Sequence, residues 1–180
     1  ALREFVVVPQ GSIVVVGSFG KSTTTAALVS ICKQSGIDCS YMYGALTASF
    51  DQNIKAKTSE TKFSVIEGDE YVLSLTERIS KFFYYAPKYL IITGLSLDHP
   101  DVFATEELYF NNFQKLINQI PSDGLIVANG DDPKVRELLT DITTPVVYFS
   151  ITHKSPTAFS HCSYLHDSHP LSFFVFPEVK

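Results

Sequence analysis

The sequence is short of cysteine, of long apolar runs and of positive charge. Its three cysteines, Cys32, Cys39 and Cys162, are an odd number with no framework spacing. That excludes a disulfide-stapled scaffold and suits a reducing compartment. No apolar run approaches the roughly 18 residues of a membrane span. The N-terminus lacks a basic stretch followed by an apolar one, so no signal peptide is expected either. Lysine and arginine number 14 against 19 aspartates and glutamates, a net charge of −5. This balance argues against a nucleic-acid or anionic-membrane surface. It leaves room for an anion held by backbone N–H groups and a single lysine. What is present is core material: 45% of the 180 residues are hydrophobic and 18% charged, enough for one ordinary domain and too apolar for disorder. The expectation is a cytoplasmic globular domain with no nucleic-acid or membrane partner.

Short apolar runs alternate with helical stretches. Val6-Val7-Val8 is a short extended segment stopped by Pro9, and Ile13-Val14-Val15-Val16 is a β-branched run of the kind buried on both faces. Residues 23–34 read as a helix with Ala27, Leu28 and Ile31 on one side and Gly36 as its stop. Residues 39–43 are a second strand, and 48–61 a polar surface loop. Further strands follow at 63–66, 89–92, 125–128 and 146–149, with helices at 106–120 and 133–139. The 106–120 helix carries Phe110, Phe113, Leu116 and Ile117. Strands separated by helices predict an α/β fold, a mostly parallel sheet flanked by helices. Residues 158–165 and 171–176 flank the turn Asp167-Ser168-His169-Pro170 and predict a small antiparallel hairpin or sheet at the C-terminal end.

The most informative stretch is Gly17-Ser18-Phe19-Gly20-Lys21-Ser22-Thr23. It follows a buried strand and opens a helix, the context in which a glycine-rich loop cradles phosphate. Gly17 and Gly20 permit a tight turn, and N–H groups at the helix start point at the anion. Lys21 would neutralise β/γ-phosphate charge, and the Ser22 hydroxyl would ligate Mg²⁺. The strict spacing of the common phosphate loop fails, because Val15 stands where its first glycine belongs; the loop is a shorter variant. A chance glycine-containing turn is the plainer alternative.

A metal beside phosphates needs hard oxygen ligands, and in a parallel sheet these come from the carboxyl ends of neighbouring strands. Glu67, followed by Asp69 and Glu70, lies at one such end, and Asp98-His99 just beyond another. Alone, the acidic turn would be a solvated surface and His99 a capping residue. Together with the loop they make a candidate metal site. His161, Cys162, His166 and His169 match no structural zinc spacing.

The loop with Lys21-Ser22-Thr23-Thr24-Thr25, the cluster Glu67-Gly68-Asp69-Glu70-Tyr71, the turn Leu97-Asp98-His99 and the run Asn129-Gly130-Asp131-Asp132-Pro133 resemble, in order, the central ATP-binding domain of the Mur ligase family. The resemblance covers most of residues 13–133. Tyr71 and the segment Ser80-Lys81-Phe82-Phe83-Tyr84-Tyr85-Ala86-Pro87 are more like the branch that joins a murein tripeptide to UDP-N-acetylmuramate. Branches adding L-alanine or glutamate are alternatives, as is a degenerate nucleotide-binding module without turnover.

The resemblance implies ATP and Mg²⁺ as cofactors, with UDP-N-acetylmuramate and a murein tripeptide as substrates. ATP would phosphorylate a carboxylate, and an amine would displace the phosphate. It implies that Gly17, Ser18, Gly20, Lys21, Ser22 and Thr23 bind the nucleotide, with Asn129 and Asp132 lying towards it. Ser22 and Glu67 would hold one Mg²⁺, and His99 a second; Lys21, Glu67 and His99 would form the catalytic group. It further implies that residues 1–180 are one central domain with a β extension over 150–180. The UDP-sugar and amine-component domains of a whole ligase would lie elsewhere, so the isolated domain should bind ATP weakly and not ligate. Four positions depart from the family pattern. Ser18 and Phe19 stand where Thr and His are usual, and Gly94 and Ser96 where an Asn and an acidic residue are usual. Lys115 is the loose counterpart of a lysine that some members carboxylate.

Overall fold

The computed structural model describes residues 2–44, 52–71, 79–96, 103, 105–150 and 174–177. Among the described residues, eight strands form one sheet: β1 (Ser12–Val16), β2 (Cys39–Met42), β3 (Ile54–Lys55), β4 (Phe63–Glu67), β5 (Tyr89–Ile92), β6 (Leu125–Asn129), β7 (Val146–Ser150) and β8 (Phe174–Pro177). Their order is β3-β2-β4-β1-β5-β6-β7-β8. The six inner strands run parallel, while β3 and β8 close the two edges antiparallel. Among the described residues there are four α-helices: α1 (Leu2–Phe5), α2 (Lys21–Gln34), α3 (Glu106–Ile117) and α4 (Pro133–Leu138).

The β-branched run behaves as its composition predicts. Val14, Val15 and Val16 are wholly buried in β1, which has β4 on one side and β5 on the other. The larger core packs Val14, Val16, Ile66, Leu90 and Ile92 against Phe113, Leu116 and Ile117 of α3 and Val135 of α4. A smaller one packs Tyr41, Tyr43 and Val65 against Ala26 and Val29 of α2. Residue alternation along the strands thus sends neighbours to different helical layers.

Three expectations need adjusting. In α2 the buried residues are Thr25, Ala26 and Val29, whereas Ala27 is exposed and Ile31 is 58% exposed. The helix packs through small side chains: Thr25 donates its hydroxyl to the Lys21 carbonyl at 2.8 Å, which satisfies the polar group and lets its methyl be buried. Second, the polar segment 48–61 is not all loop, because Ile54–Lys55 pairs with β2; residues 45–51 lie outside the described residues. Third, the C-terminal antiparallel element that is described, β8, extends the main sheet by pairing with β7. The hairpin partner at 158–165, with His161, Cys162, His166 and His169, lies outside the described residues.

The register puts the carboxyl ends of three strands side by side. Val15 faces Glu67, and Val16 faces Ile92. Just beyond, the Gly68 N–H donates to the Val15 carbonyl at 2.7 Å and the Thr93 N–H to the Val16 carbonyl at 3.0 Å. Gly68 can lie there only because it has no side chain: a Cβ would be 2.5 Å from Val16 Cγ1 and 2.8 Å from Val14 Cγ1.

Candidate functional site

Gly17 to Gly20 form the turn between β1 and α2. Gly17 has φ +132° and Gly20, the N-cap of α2, φ +81°, both favouring glycine. At Gly17 an added Cβ would overlap Thr93 Oγ1 and lie 2.7 Å from the Gly94 carbonyl oxygen. The 14-residue helix starts with neither a side-chain cap nor an acidic first turn. Its N–H groups and partial positive charge are therefore not neutralised by its own side chains.

Lys21 folds back across this turn. Its Nζ donates to the Gly17 carbonyl at 2.7 Å and approaches the Ser18 carbonyl at 3.5 Å. It also lies 3.4 and 3.3 Å from the Oε1 and Oε2 atoms of Glu70. One residue on, Ser22 Oγ donates to Glu67 Oε1 at 2.9 Å, and the Gly44 N–H donates to Glu67 Oε2 at 2.6 Å. Among the described residues no basic side chain pairs with Glu67. The structure thus brings Gly17, Gly20, Lys21, Ser22 and Glu67 together, with Thr23 exposed on the first turn of α2. A hydroxyl and a carboxylate oxygen in contact are a donor pair suited to a hard cation such as Mg²⁺, which would take its remaining oxygens from water and phosphate. Beneath them, burial pushes the Tyr85 phenol up to about 12, with the carboxylates of Asp69 and Glu67 adding to the effect. Asp69 itself turns to the surface, accepting from Lys81 Nζ at 2.8 Å and from the Tyr71 N–H at 2.9 Å.

Ser18 has a different position from the one its place in the motif suggests. It is 6% exposed, and its Oγ lies 2.5 Å from the Ser96 carbonyl oxygen, 2.7 Å from the Ser96 N–H and 2.9 Å from the Tyr109 hydroxyl. The side chain faces the protein interior, and the Ser18 N–H is itself bonded to the Gly94 carbonyl at 2.9 Å. Phe19, by contrast, is 69% exposed, while its carbonyl accepts from Thr93 Oγ1 at 2.6 Å.

Asn129 and Asp132 stand one step behind the loop. Asn129 Nδ2 donates to the Thr93 carbonyl at 3.0 Å, and its Oδ1 accepts from the Asp131 N–H at 3.0 Å. Asp132 caps α4 by accepting from the Lys134 N–H at 2.9 Å, and it accepts from the Leu95 N–H at 2.7 Å. Both side chains are engaged in fixing residues 93–95, which in turn hold Ser18 and Phe19. Lys115 lies elsewhere, on an exposed groove of about 620 Å³ with Phe83, Tyr84 and Asn112. His99 lies outside the described residues. Sequence reasoning missed Thr93, Tyr109 and the carboxylate–ammonium pairing of Glu70. The four-residue spacing of Tyr109 and Phe113 was the available signal for an inward-facing Tyr109.

Comparison with known proteins accords with this geometry. The family model described as "Mur ligase middle domain" matches residues 15–178. The UDP-N-acetylmuramate–L-alanyl-γ-D-glutamyl-meso-2,6-diaminoheptandioate ligase of Haemophilus influenzae is 31% identical over 123 residues, 68% of this chain and 27% of that protein. The UDP-N-acetylmuramate–L-alanine ligase of Nitrosomonas europaea is 32% identical over 143 residues, 77% of this chain and 28% of that protein. Among solved structures, the UDP-N-acetylmuramate:L-alanyl-γ-D-glutamyl-meso-diaminopimelate ligase from Neisseria meningitides superposes with a TM-score of 0.74 at 27% identity, covering 86% of this chain and 52% of that one. The chain therefore spans under a third of the length of these two curated relatives. No described helix is long and apolar enough to cross a membrane.

Proposed function

The chain belongs to the Mur ligase family as its middle domain, and from that premise we propose that it holds MgATP for an amide-forming ligation. The observation that carries the reading is Ser22 on Glu67 directly beside Lys21 at the mouth of the Gly17–Gly20 turn. The turn's N–H groups and Lys21 bind the β- and γ-phosphates, and Ser22 and Glu67 hold Mg²⁺. Asp69 is already paired with Lys81 at the surface, so a bound Mg²⁺ would supply the charge neutralisation that Lys21 alone does not give to Glu67, Glu70 and the phosphates. His99 is proposed for a second Mg²⁺. Asn129 and Asp132 serve the nucleotide by holding the 93–95 segment against the loop. Catalysis in such a site is positioning and electrostatic stabilisation.

The whole protein's reaction is proposed as joining a murein tripeptide to UDP-N-acetylmuramate in the cytoplasm through an acyl phosphate, with further domains taking the two substrates. The sequence likeness to the Haemophilus influenzae ligase and the fold likeness to the Neisseria structure support it. Likeness to an L-alanine ligase supports the alternative acceptor. In the full-length protein, UDP-N-acetylmuramate with tripeptide should stimulate Mg²⁺-dependent ATP hydrolysis, and free L-alanine should not. In the 180-residue chain, calorimetry should register weak MgATP binding that Lys21→Ala lowers by about 1.5–3 kcal/mol. Binding that survives Lys21→Ala removes the reading. The exposed phenyl of Phe19, which cannot hydrogen-bond a phosphate, favours a nucleotide-binding module without turnover as the second reading; MgATP binding without stimulated hydrolysis selects it.

A further inference from the structure

We propose that Glu70 is a positioning residue for Lys21, holding its ammonium across the loop with one N–H directed to the terminal phosphates of a nucleotide. The inference rests on the nucleotide reading above and deepens it. An ammonium has three donors and no acceptor. The Gly17 carbonyl takes one at 2.7 Å, and the Glu70 carboxylate faces another at 3.3–3.4 Å. The third has only the Ser18 carbonyl at 3.5 Å, the longest of these contacts and the one most readily exchanged for a phosphate oxygen. Glu70 is 1% exposed and Lys21 has 14% of its side chain exposed, so neither charge is screened by bulk water as a surface pair would be.

The backbone explains why the carboxylate is there. The side-chain-free Gly68, lying over Val14 and Val16 and bonded to the Val15 carbonyl, carries residues 68–70 across the base of the loop. Glu70 thereby meets Lys21, while the neighbouring Asp69 points to Lys81 at the surface. A lysine left to rotate on its four-carbon stem would lose this direction before any phosphate arrived, and fixing it beforehand lowers the ordering cost of binding.

The phosphate count of the ligand tests this. Lys21 serves the β- and γ-phosphates, so AMP does not reach it. In the 180-residue chain, competition against a fluorescent ATP analogue should find MgATP bound about ten-fold more weakly by Glu70→Gln. AMP affinity should stay within about two-fold in the same variant, and Glu70→Asp, which keeps the charge on a shorter stem, should recover part of the loss. If the Gln variant does not fold, the Asp variant reads the same MgATP-to-AMP ratio. Equal losses for both ligands, or none for MgATP, overturn the proposal and leave Glu70 a purely structural acid. No MgATP binding by the unsubstituted chain removes the nucleotide reading and this role with it, a result distinct from the ratio test.

Discussion

Two sets of residues meet at Gly17 and do different work. The front set, Lys21, Ser22, Glu67 and Glu70, carries charge and hard oxygen atoms and comes from the end of β4, the residues just after it and the start of α2. The rear set, Thr93, Ser96, Tyr109, Asn129 and Asp132, is mostly neutral, comes from the segment after β5, from α3, from the end of β6 and from the N-cap of α4, and spends its polar atoms on the chain itself. On the proposed reading the first set determines what can bind, and the second determines the shape of the loop. A loop proposed to meet phosphate through its backbone needs such a brace, because its N–H groups would serve only while they converge.

The widest breach between the two sets comes from Gly17→Ala. Its Cβ would strike the Thr93 hydroxyl and the Gly94 carbonyl in a backbone region that alanine avoids. The loop would have to leave its brace, so the variant should lose MgATP binding below detection and about 2–4 kcal/mol of stability, read by denaturant melts. Retained binding with native stability would show that loop and brace are separable.

Most of the front set was legible in the sequence, the pairing of Glu70 with Lys21 excepted, and the rear set largely was not. Gly17, Gly20, Lys21, Ser22 and Glu67 announce themselves because their chemistry depends on residue type at short spacing, next to a strand that composition marks as buried. Thr93, Ser96 and Tyr109 carry no such mark: each meets a partner 74 to 91 positions away, and only the register of β1 with β5 and the packing of α3 on the sheet bring them together. The same distance hides the setting of Ser18, whose hydroxyl is held inward by Tyr109 and Ser96. The α2 face was missed for a local reason, since its larger apolar residues suggested one stripe while packing selected Thr25, Ala26 and Val29.

Alkaline pH probes the front set from below. Tyr85 ordinarily ionises near pH 10, and in the fold it is raised to about 12, first by burial and then by Asp69 and Glu67. A phenol with a raised value stabilises the fold fully below its unfolded value and stops doing so as pH climbs through the folded one. Stability should therefore fall between pH 10 and about 12 by on the order of 2 kcal/mol from this group. In Tyr85→Phe that part of the slope should be absent when melts are compared across the window; an unchanged slope would mean the phenol is not held in its neutral form.

The rear set is sampled more gently by Tyr109→Phe, which deletes the hydroxyl 2.9 Å from Ser18 Oγ and keeps the buried ring against Phe113. Ser18 retains Ser96, so the expected loss is about 1 kcal/mol in stability, with MgATP affinity falling a few-fold. A change in hydrolysis rate at saturating nucleotide without any change in affinity would place Tyr109 nearer the chemistry than a brace should stand.

The smallest effect should come from Asp69→Asn, although Asp69 sits between Gly68 and Glu70 in the motif. Its carboxylate pairs with Lys81 where both side chains are about a third exposed, 36% and 37%. Water and salt screen such a pair, so removing its charge should change stability by less than about 0.5 kcal/mol. Asparagine can still accept from the Tyr71 N–H through Oδ1, which preserves the local turn. With the turn intact, Glu70 keeps its place against Lys21, and MgATP affinity in calorimetry should stay within about two-fold of the unsubstituted chain. A loss beyond about five-fold, roughly 1 kcal/mol, would move Asp69 into the front set, and sequence adjacency to Glu70 would then be a better guide to the site than the direction in which each carboxylate points.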